Sequence, residues 1–269
     1  NIVINVIKEI NTEHVRSLRC VSWDSSGELL IIGSFDATSS LYYIKNLIDI
    51  KNIEIKLLKI FKGQESEIKS VAFSPSSEFI ATCSRDKSIW IWQAEIEDSS
   101  KIITKDKECL EYDCMSILDT HTQDVKHVEF HKERNDILFS SSYDNSIKLW
   151  CFVEEEEDWI NTQTVSLTNT IWKISSNETN YNKYICCCED KSIYLFESNN
   201  NGTNNDSTTN FSKNFKQIKK FSNVHSRSVY CVKYIDNIIV SGGGDNKVKI
   251  SEIIENELVS IQRRCSIDR

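Results

Sequence analysis

The chain has 269 residues, enough for one large core or several small repeated ones, and carries a net charge of −8 with an isoelectric point of about 5.3. This acidic balance, with no cluster of basic residues along the chain, excludes broad nucleic-acid binding, which needs basic side chains facing phosphates. No apolar run of about 18 residues occurs, so no membrane-spanning helix is expected, and the opening NIVINVIKEI lacks the basic start and small-residue cleavage site of a secretory leader.

Taken in chain order, the elements repeat. The first unit, about residues 1–50, places Leu18, Val21 and Trp23 at offsets 0, +3 and +5. That spacing predicts a strand, and its +3 step breaks strict alternation as a β-bulge would. Gly33 and Ser34 then precede Asp36, and Ser39 and Leu41 follow it, ending at Tyr42. Period-2 spacing after the aspartate predicts a second strand, with the aspartate in the turn before it. The second unit, 51–97, opens on the apolar run Ile53–Phe61 and continues with Ile68, Val71 and Phe73, then Cys83 and Ser84, Asp86, Ile89 and Ile91, and Trp92. The third, 109–153, opens on Tyr112–Leu118 and runs through Val125, Val128 and Phe130 to Ser141 and Ser142, Asp144, Ile147 and Leu149, and Trp150. The fourth, 158–198, is weaker: Ile171, Ile174 and Ser176, then Cys187 and Cys188, Asp190, Ile193 and Leu195, and Phe196. The fifth, 214–255, carries Val229, Val232 and Tyr234, then Gly242 and Gly243, Asp245, Val248 and Ile250, and Ser251, and a last apolar stretch covers Glu257–Gln262.

The aspartates are 50, 58, 46 and 55 residues apart, slightly more than the roughly 40–45 of the common four-strand repeat, and polar insertions account for the excess. These insertions are Glu95–Glu108, Glu154–Asp158 and the Asn/Ser/Thr-rich 199–210, read as a low-complexity surface loop. Four strands per unit predict an all-β propeller of antiparallel blades. The whole chain, 1–269, is expected to be one such domain, with five repeats visible of a seven-bladed ring and parts of the terminal blades missing. One proline and seven glycines are few for such a fold, so Asn, Asp and Ser are expected to fill turn positions.

Ten cysteines do not form a disulfide pattern: Cys83 and Cys187 lie in apolar runs and Cys186, Cys187 and Cys188 are consecutive. Buried thiols in a reducing compartment are the simpler reading. Neighbours on a strand point to opposite faces, so the three thiols are not expected to converge on one ion. The x4 spacing of Cys109 and Cys114 is a poor match to any ligand motif. No metal and no cofactor is expected.

The repeats resemble the WD40 family. His121, Ser142, Asp144 and Trp150 match its structural tetrad, in which the four side chains are hydrogen-bonded inside one blade; Gln64 stands where that histidine is expected in the second unit, and Tyr42 replaces the tryptophan of the first. His121, Ser142 and Asp144 also contain the atoms of a hydrolase triad. That reading is set aside because Ser-x-Asp recurs where no histidine is present and no G-x-S-x-G elbow occurs. In a WD40 blade, the residues before the turn aspartates and after the first-strand anchors emerge on one face. The first set is Phe35, Arg85, Tyr143, Glu189 and Gly244; the second is Arg19, Lys69, Lys126, Trp172 and Tyr230. Arg and aromatic side chains are enriched in binding hot spots. The expected partner-binding residues are therefore Arg85, Lys69, Arg19, Lys126, Phe35, Tyr143, Trp172 and Tyr230, and no catalytic residue is expected.

Two stretches, EIKSVAFSPSSEFIATCSRDKSIWIW at 67–92 and HTQDVKHVEFHKERNDILFSSSYDNSIKLW at 121–150, resemble neighbouring blades of the cytosolic iron–sulfur cluster assembly WD40 proteins. SFDATSSLYYI, EEEEDW and FSNVHSRSVYCVKY extend the resemblance over about 14–250. It implies a non-enzymatic scaffold of the cytosolic iron–sulfur cluster targeting complex, working with a small adaptor, a HEAT-repeat scaffold protein and a hydrogenase-like cluster carrier. It also implies client apoproteins, some recognised through a C-terminal tail ending in an aromatic residue, and Arg85 as the counterpart of an interaction arginine. A cytoplasmic location follows, with a nuclear one as a second expectation. The alternative is a different WD40 adaptor, such as a substrate receptor of a ubiquitin ligase, with a hydrolase as the remote one.

Overall fold

The computed structural model describes residues 6–47, 49, 52–95, 107–198, 215–255 and 257–261. Insertion 199–210 and most of Glu95–Glu108 lie outside them. The described residues form five four-stranded antiparallel sheets in which consecutive strands pair in chain order. The first sheet is β1 (Leu18–Trp23), β2 (Leu29–Ser34), β3 (Ser39–Lys45) and β4 (Glu54–Phe61). The second is β5 (Ile68–Phe73), β6 (Phe79–Ser84), β7 (Ile89–Ala94) and β8 (Tyr112–Leu118). The third is β9 (Val125–Phe130), β10 (Ile137–Ser142), β11 (Ser146–Val153) and β12 (Asp158–Ser166). The fourth is β13 (Ile171–Ser176), β14 (Lys183–Cys188), β15 (Ile193–Ser198) and β16 (Phe215–Phe221). The fifth is β17 (Val229–Ile235), β18 (Ile238–Gly243), β19 (Val248–Ile254) and β20 (Glu257–Ser260). The chain divides into two compact units, residues 1–120 with the first two sheets and 121–269 with the last three. No helix among the described residues is long and apolar enough to cross a membrane.

The sheets are offset by one strand from the sequence repeats. The run that opens the second repeat, β4, closes the first sheet, and β8 likewise opens the third repeat and closes the second sheet.

Each first strand carries the expected bulge. Leu18 pairs with Ser34 and Cys20 with Gly33, which leaves Arg19 as the extra residue. Lys69, Lys126, Trp172 and Tyr230 take the same place in the other sheets. A bulge bends its strand and re-aims a side chain, and here it lifts one side chain per sheet beside the aspartate turn.

The five aspartate turns are equivalent. The carboxylates of Asp36, Asp86, Asp144, Asp190 and Asp245 each accept the backbone N–H two residues on, at 2.9–3.2 Å. The residue between is left-handed every time: Ala37, Lys87, Asn145, Lys191 and Asn246, with φ from 61° to 79°. Asn suits that conformation; Ala and Lys do not. The turn therefore imposes φ > 0 whatever residue the sequence supplies.

The cores lie between successive sheets of a unit. In the first unit Leu29, Ile31 and Leu41 of the first sheet pack with Ile68, Val71 and Ile80 of the second. In the second unit Ile147 and Leu149 pack with Ile171 and Ile174, and Ile193 and Leu195 with Val229 and Val232. Gly33, three residues before its aspartate, backs onto this seam: a Cβ there would stand 2.7 Å from Ile68 and Cys20. The fifth-sheet counterparts Val248 and Ile250 are 74% and 48% exposed.

Candidate functional site

The third sheet shows how a turn is held. Trp150 Nε1–H donates to Ser140 Oγ (2.9 Å), Ser140 lies 2.7 Å from His121 Nε2, and His121 Nδ1 lies 2.7 Å from Asp144 Oδ2. With Trp150 a donor only and Asp144 an acceptor only, the chain runs one way. Ser140 donates to Nε2 of a neutral histidine, whose Nδ1–H donates to the carboxylate. Burial lowers the His121 pKa, and Asp144 only partly opposes it. Burial pushes the Asp144 carboxyl up, but hydrogen bonds from His121, Ser146 and the Thr122 amide outweigh it and hold it well below the ordinary range.

The tetrad serine is thus Ser140 and not Ser142, which corrects the sequence reading. Ser142 accepts the Asp144 amide and donates to the carbonyls of Gln123 and Asp124. Ser34 and Ser84 do the same in their sheets, so Ser-x-Asp is a turn clamp. The tetrad hydroxyl sits four residues before the aspartate, at Thr82, Ser140 and Ser241, where it meets Trp92, Trp150 with His121, and His225 respectively. In the first sheet that position is Ile32, and Ser40 supplies the hydroxyl to His14 instead (2.8 Å). Gln64 takes the histidine's place by donating to the Thr82 carbonyl. The fourth sheet departs furthest: Tyr194 and Lys220 donate to Asp190 at 2.7 and 2.8 Å.

The side chains that the turns and bulges lift away from these networks fall into two groups, one in each unit. In the first unit Lys69 Nζ lies 4.6 Å from the centre of the Phe35 ring. It also lies 3.6 Å from a Glu67 carboxylate oxygen. Arg85 Nη1 reaches the same carboxylate at 3.3 and 3.5 Å, and Arg16 Nη2 at 3.8 Å. Arg16 also donates to the Phe35 carbonyl (2.9 Å). Arg19 is exposed. Burial pushes the Glu67 carboxyl up, and Lys69 and Arg85 more than offset it, so its pKa falls below the ordinary value.

In the second unit Lys126 Nζ stands 4.0 Å from the Tyr143 ring centre and 5.5 Å from that of Trp172, with Asp124 at 3.0 Å. Tyr143 meets Trp172 edge-on at 5.4 Å, and Trp172 meets Tyr230 edge-on at 5.0 Å. Such offset aromatic contacts are favourable beyond area burial, so the three rings form a pre-packed wall. Tyr143 and Tyr230 are exposed on it.

Seven of the eight expected partner-binding residues fall in these two groups, while Arg19 is exposed and joined to neither by a side-chain contact among the described residues. The two lysines are not free points of charge. Each is folded onto an aromatic ring and a carboxylate. The carboxylates, Glu67 and Asp124, were missed by sequence reasoning, as was Arg16. Their signal was available: both acids stand immediately before a first-strand anchor, two residues before the bulged lysine. The consecutive cysteines alternate as expected, with Cys186 and Cys188 in the core shared by the third and fourth sheets and Cys187 in that shared by the fourth and fifth.

Comparison with known proteins gives a consistent picture. The family profile described as "WD domain, G-beta repeat" matches residues 7–42, 55–93, 112–151 and 215–250. Over 93 residues the chain is 43% identical to "Probable cytosolic iron-sulfur protein assembly protein 1" of Kluyveromyces lactis, covering 34% of this chain and 28% of that protein. Over 297 residues it is 26% identical to the protein of the same name from Pyricularia oryzae, covering 89% of this chain and 66% of that one. The chain thus spans 28% and 66% of the length of these two curated relatives. The WD40 beta propeller domain of Doa1 superposes with a TM-score of 0.63 at 18% identity, covering 92% of this chain and 69% of that one, a likeness of fold. With the profile matching more than half of its residues, and one turn geometry recurring in five sheets, the chain belongs to the WD40-repeat family.

Proposed function

We propose that this protein is a non-enzymatic scaffold of the cytosolic iron–sulfur cluster targeting complex. Its turn face binds partner proteins and client apoproteins for cluster delivery. The partners expected are the small adaptor, the HEAT-repeat scaffold and the hydrogenase-like carrier. The observation that carries the reading is the division of labour at each turn. Aspartates, serines and histidines hold the blade, while the bulge and pre-aspartate side chains gather into a cationic cluster and an aromatic wall. Clusters of Arg, Lys, Tyr and Trp on a rigid support suit protein recognition. The names of the relatives direct it to cytosolic iron–sulfur assembly, and the exposed Val248 and Ile250 support the further expectation of additional blades.

A hydrolase is disfavoured by burial. Ser140, His121 and Asp144 are bonded in the order of a catalytic triad, yet Ser140 is 0% exposed and its oxygen is already taken by Trp150. A nucleophile there meets no substrate.

Affinity capture of the tagged protein from its native cell, followed by mass spectrometry, tests the reading. Iron–sulfur assembly proteins are expected among the specific partners. Recovery of ubiquitin-ligase subunits in their place would favour the other adaptor reading.

A further inference from the structure

Glu67 is an odd residue to find at the centre of the first unit's cationic cluster. The fold does not ask for a carboxylate there. At this position, directly before the first-strand anchor, the other sheets carry Ser17, Asp124, Thr170 and Ser228. The shared duty of the position is a backbone one: its carbonyl accepts the amide of the residue before the turn aspartate, Glu67 from Arg85 and Thr170 from Glu189, for example. The Glu67 side chain is therefore spare, and it is aimed at Arg16, Lys69 and Arg85 together.

The pairing is also incomplete. One carboxylate faces three cations, so the cluster keeps a positive excess in a chain of net charge −8. Arg85 uses a single nitrogen, Nη1, for both Glu67 oxygens. Among the described residues its Nε and Nη2 have no partner, so the flat fork that matches a carboxylate with two parallel bonds stays open. The side chains of Arg85 and Arg16 are 59% and 57% exposed while that of Glu67 is 15% exposed, so the arginine ends of these pairs stand in water, where screening weakens them and lets them exchange. Lys69, by contrast, is steadied over Phe35.

We propose that Glu67 is a built-in competitor at this site: its carboxylate occupies the place that a carboxylate of an acidic partner peptide takes on binding. The inference rests on the reading of this face as a partner-binding surface. On that basis the partner segment is acidic, since it must outbid one internal carboxylate for three cations. Glu67 then sets a threshold, so that a single carboxylate gains little while several closely spaced ones displace it. A carboxylate that merely oriented the arginines would act in the opposite direction, because its removal would weaken binding.

The test uses the full chain and a synthetic peptide, Gly-Ser-Glu-Glu-Asp-Phe with a free C-terminal carboxylate, titrated by fluorescence anisotropy against wild type, Glu67→Gln and Arg85→Glu. Glu67→Gln is expected to tighten binding about fivefold, and Arg85→Glu to weaken it at least about tenfold. If Arg85→Glu leaves affinity unchanged, the partner-face reading itself fails. If Arg85→Glu weakens binding while Glu67→Gln leaves it equal or weaker, the reading stands and the competitor role is overturned. Should wild type show no binding, a gain with Glu67→Gln supports the inference and none with either protein sinks it. Glu67→Asp keeps the charge but shortens the reach. It is expected to fall between wild type and Glu67→Gln, and it takes the place of Glu67→Gln if that protein does not fold.

Discussion

Asp144→Ala is expected to lower the stability of the protein by about 3 kcal/mol. Asp144 accepts from four groups: His121 Nδ1–H, the Thr122 amide, and the Ser146 amide and hydroxyl. Alanine leaves them without an acceptor; the exposed Thr122 amide turns to water, but His121 and Ser146 are buried, and each unsatisfied buried donor costs roughly 1–3 kcal/mol, less whatever the site recovers by relaxing. The loss also propagates, because His121 Nδ1 then keeps only the longer contact to Ser146 Oγ (3.4 Å) to fix the tautomer that accepts from Ser140. Urea unfolding measures it. A midpoint shift equivalent to less than about 0.5 kcal/mol would show that the turn is supported by something other than this network.

Acid is expected to weaken the fold in two stages. Burial, with Arg134 adding to it and Asp136 opposing, lowers the His131 pKa to about 4. Burial, then Lys173 and Lys132, push His127 well below its ordinary value, and burial lowers His121. Unfolded histidines take up protons near pH 6.5 while these folded ones do not. As pH falls from about 6.5 to about 4 the unfolded chain therefore binds more protons, and stability declines, by on the order of 3 kcal/mol for His131 alone. The carboxylates act lower down. Burial raises the Asp36 pKa, but hydrogen bonds from Thr38, the Val15 amide and His14 outweigh it and bring it to about 2. A depressed carboxylate contributes stability above its unfolded value, near 3.9, and that contribution goes as pH falls toward 2. Urea midpoints measured between about pH 7.5 and about pH 4.5 follow the first stage. His131→Gln is expected to flatten part of the slope, and a midpoint constant over this range would contradict the account.

The aspartate register was legible because its chemistry admits few alternatives: a short carboxylate is needed to cap the amide two residues on, and all five do so. The +3 step was legible for a similar reason, since an extra residue in a strand shifts every later side chain to the other face. The choice between Ser140 and Ser142 was not. Both lie on one face of β10, and only cross-strand register decides. Leu138 pairs with Trp150 and Ser140 with Lys148, which puts Ser140 beside the indole, while Ser142 sits at the strand end opposite the bulge. Left-handed Lys87 and Lys191 were hidden because the turn, not the residue, dictates their backbone. The acids beside Lys69 and Lys126 stand two residues before them and were open to a local reading; the rings they fold onto come from neighbouring turns and strands, which no local pattern reveals.

The claim that this chain binds partners through its turn face stands or falls most directly on Arg85. Its guanidinium is more than half exposed and its only side-chain partner among the described residues is Glu67. Arg85→Glu exchanges a weak exposed attraction for a weak repulsion, so unfolding free energy is expected to change by no more than about 1 kcal/mol. Capture of the proposed iron–sulfur assembly partners by the same preparation is expected to fall at least about tenfold, equivalent to roughly 1.4 kcal/mol. Measured side by side, an unchanged melting curve with lost capture is the predicted result. Capture that survives the charge reversal in a folded protein would contradict it and place recognition on another surface.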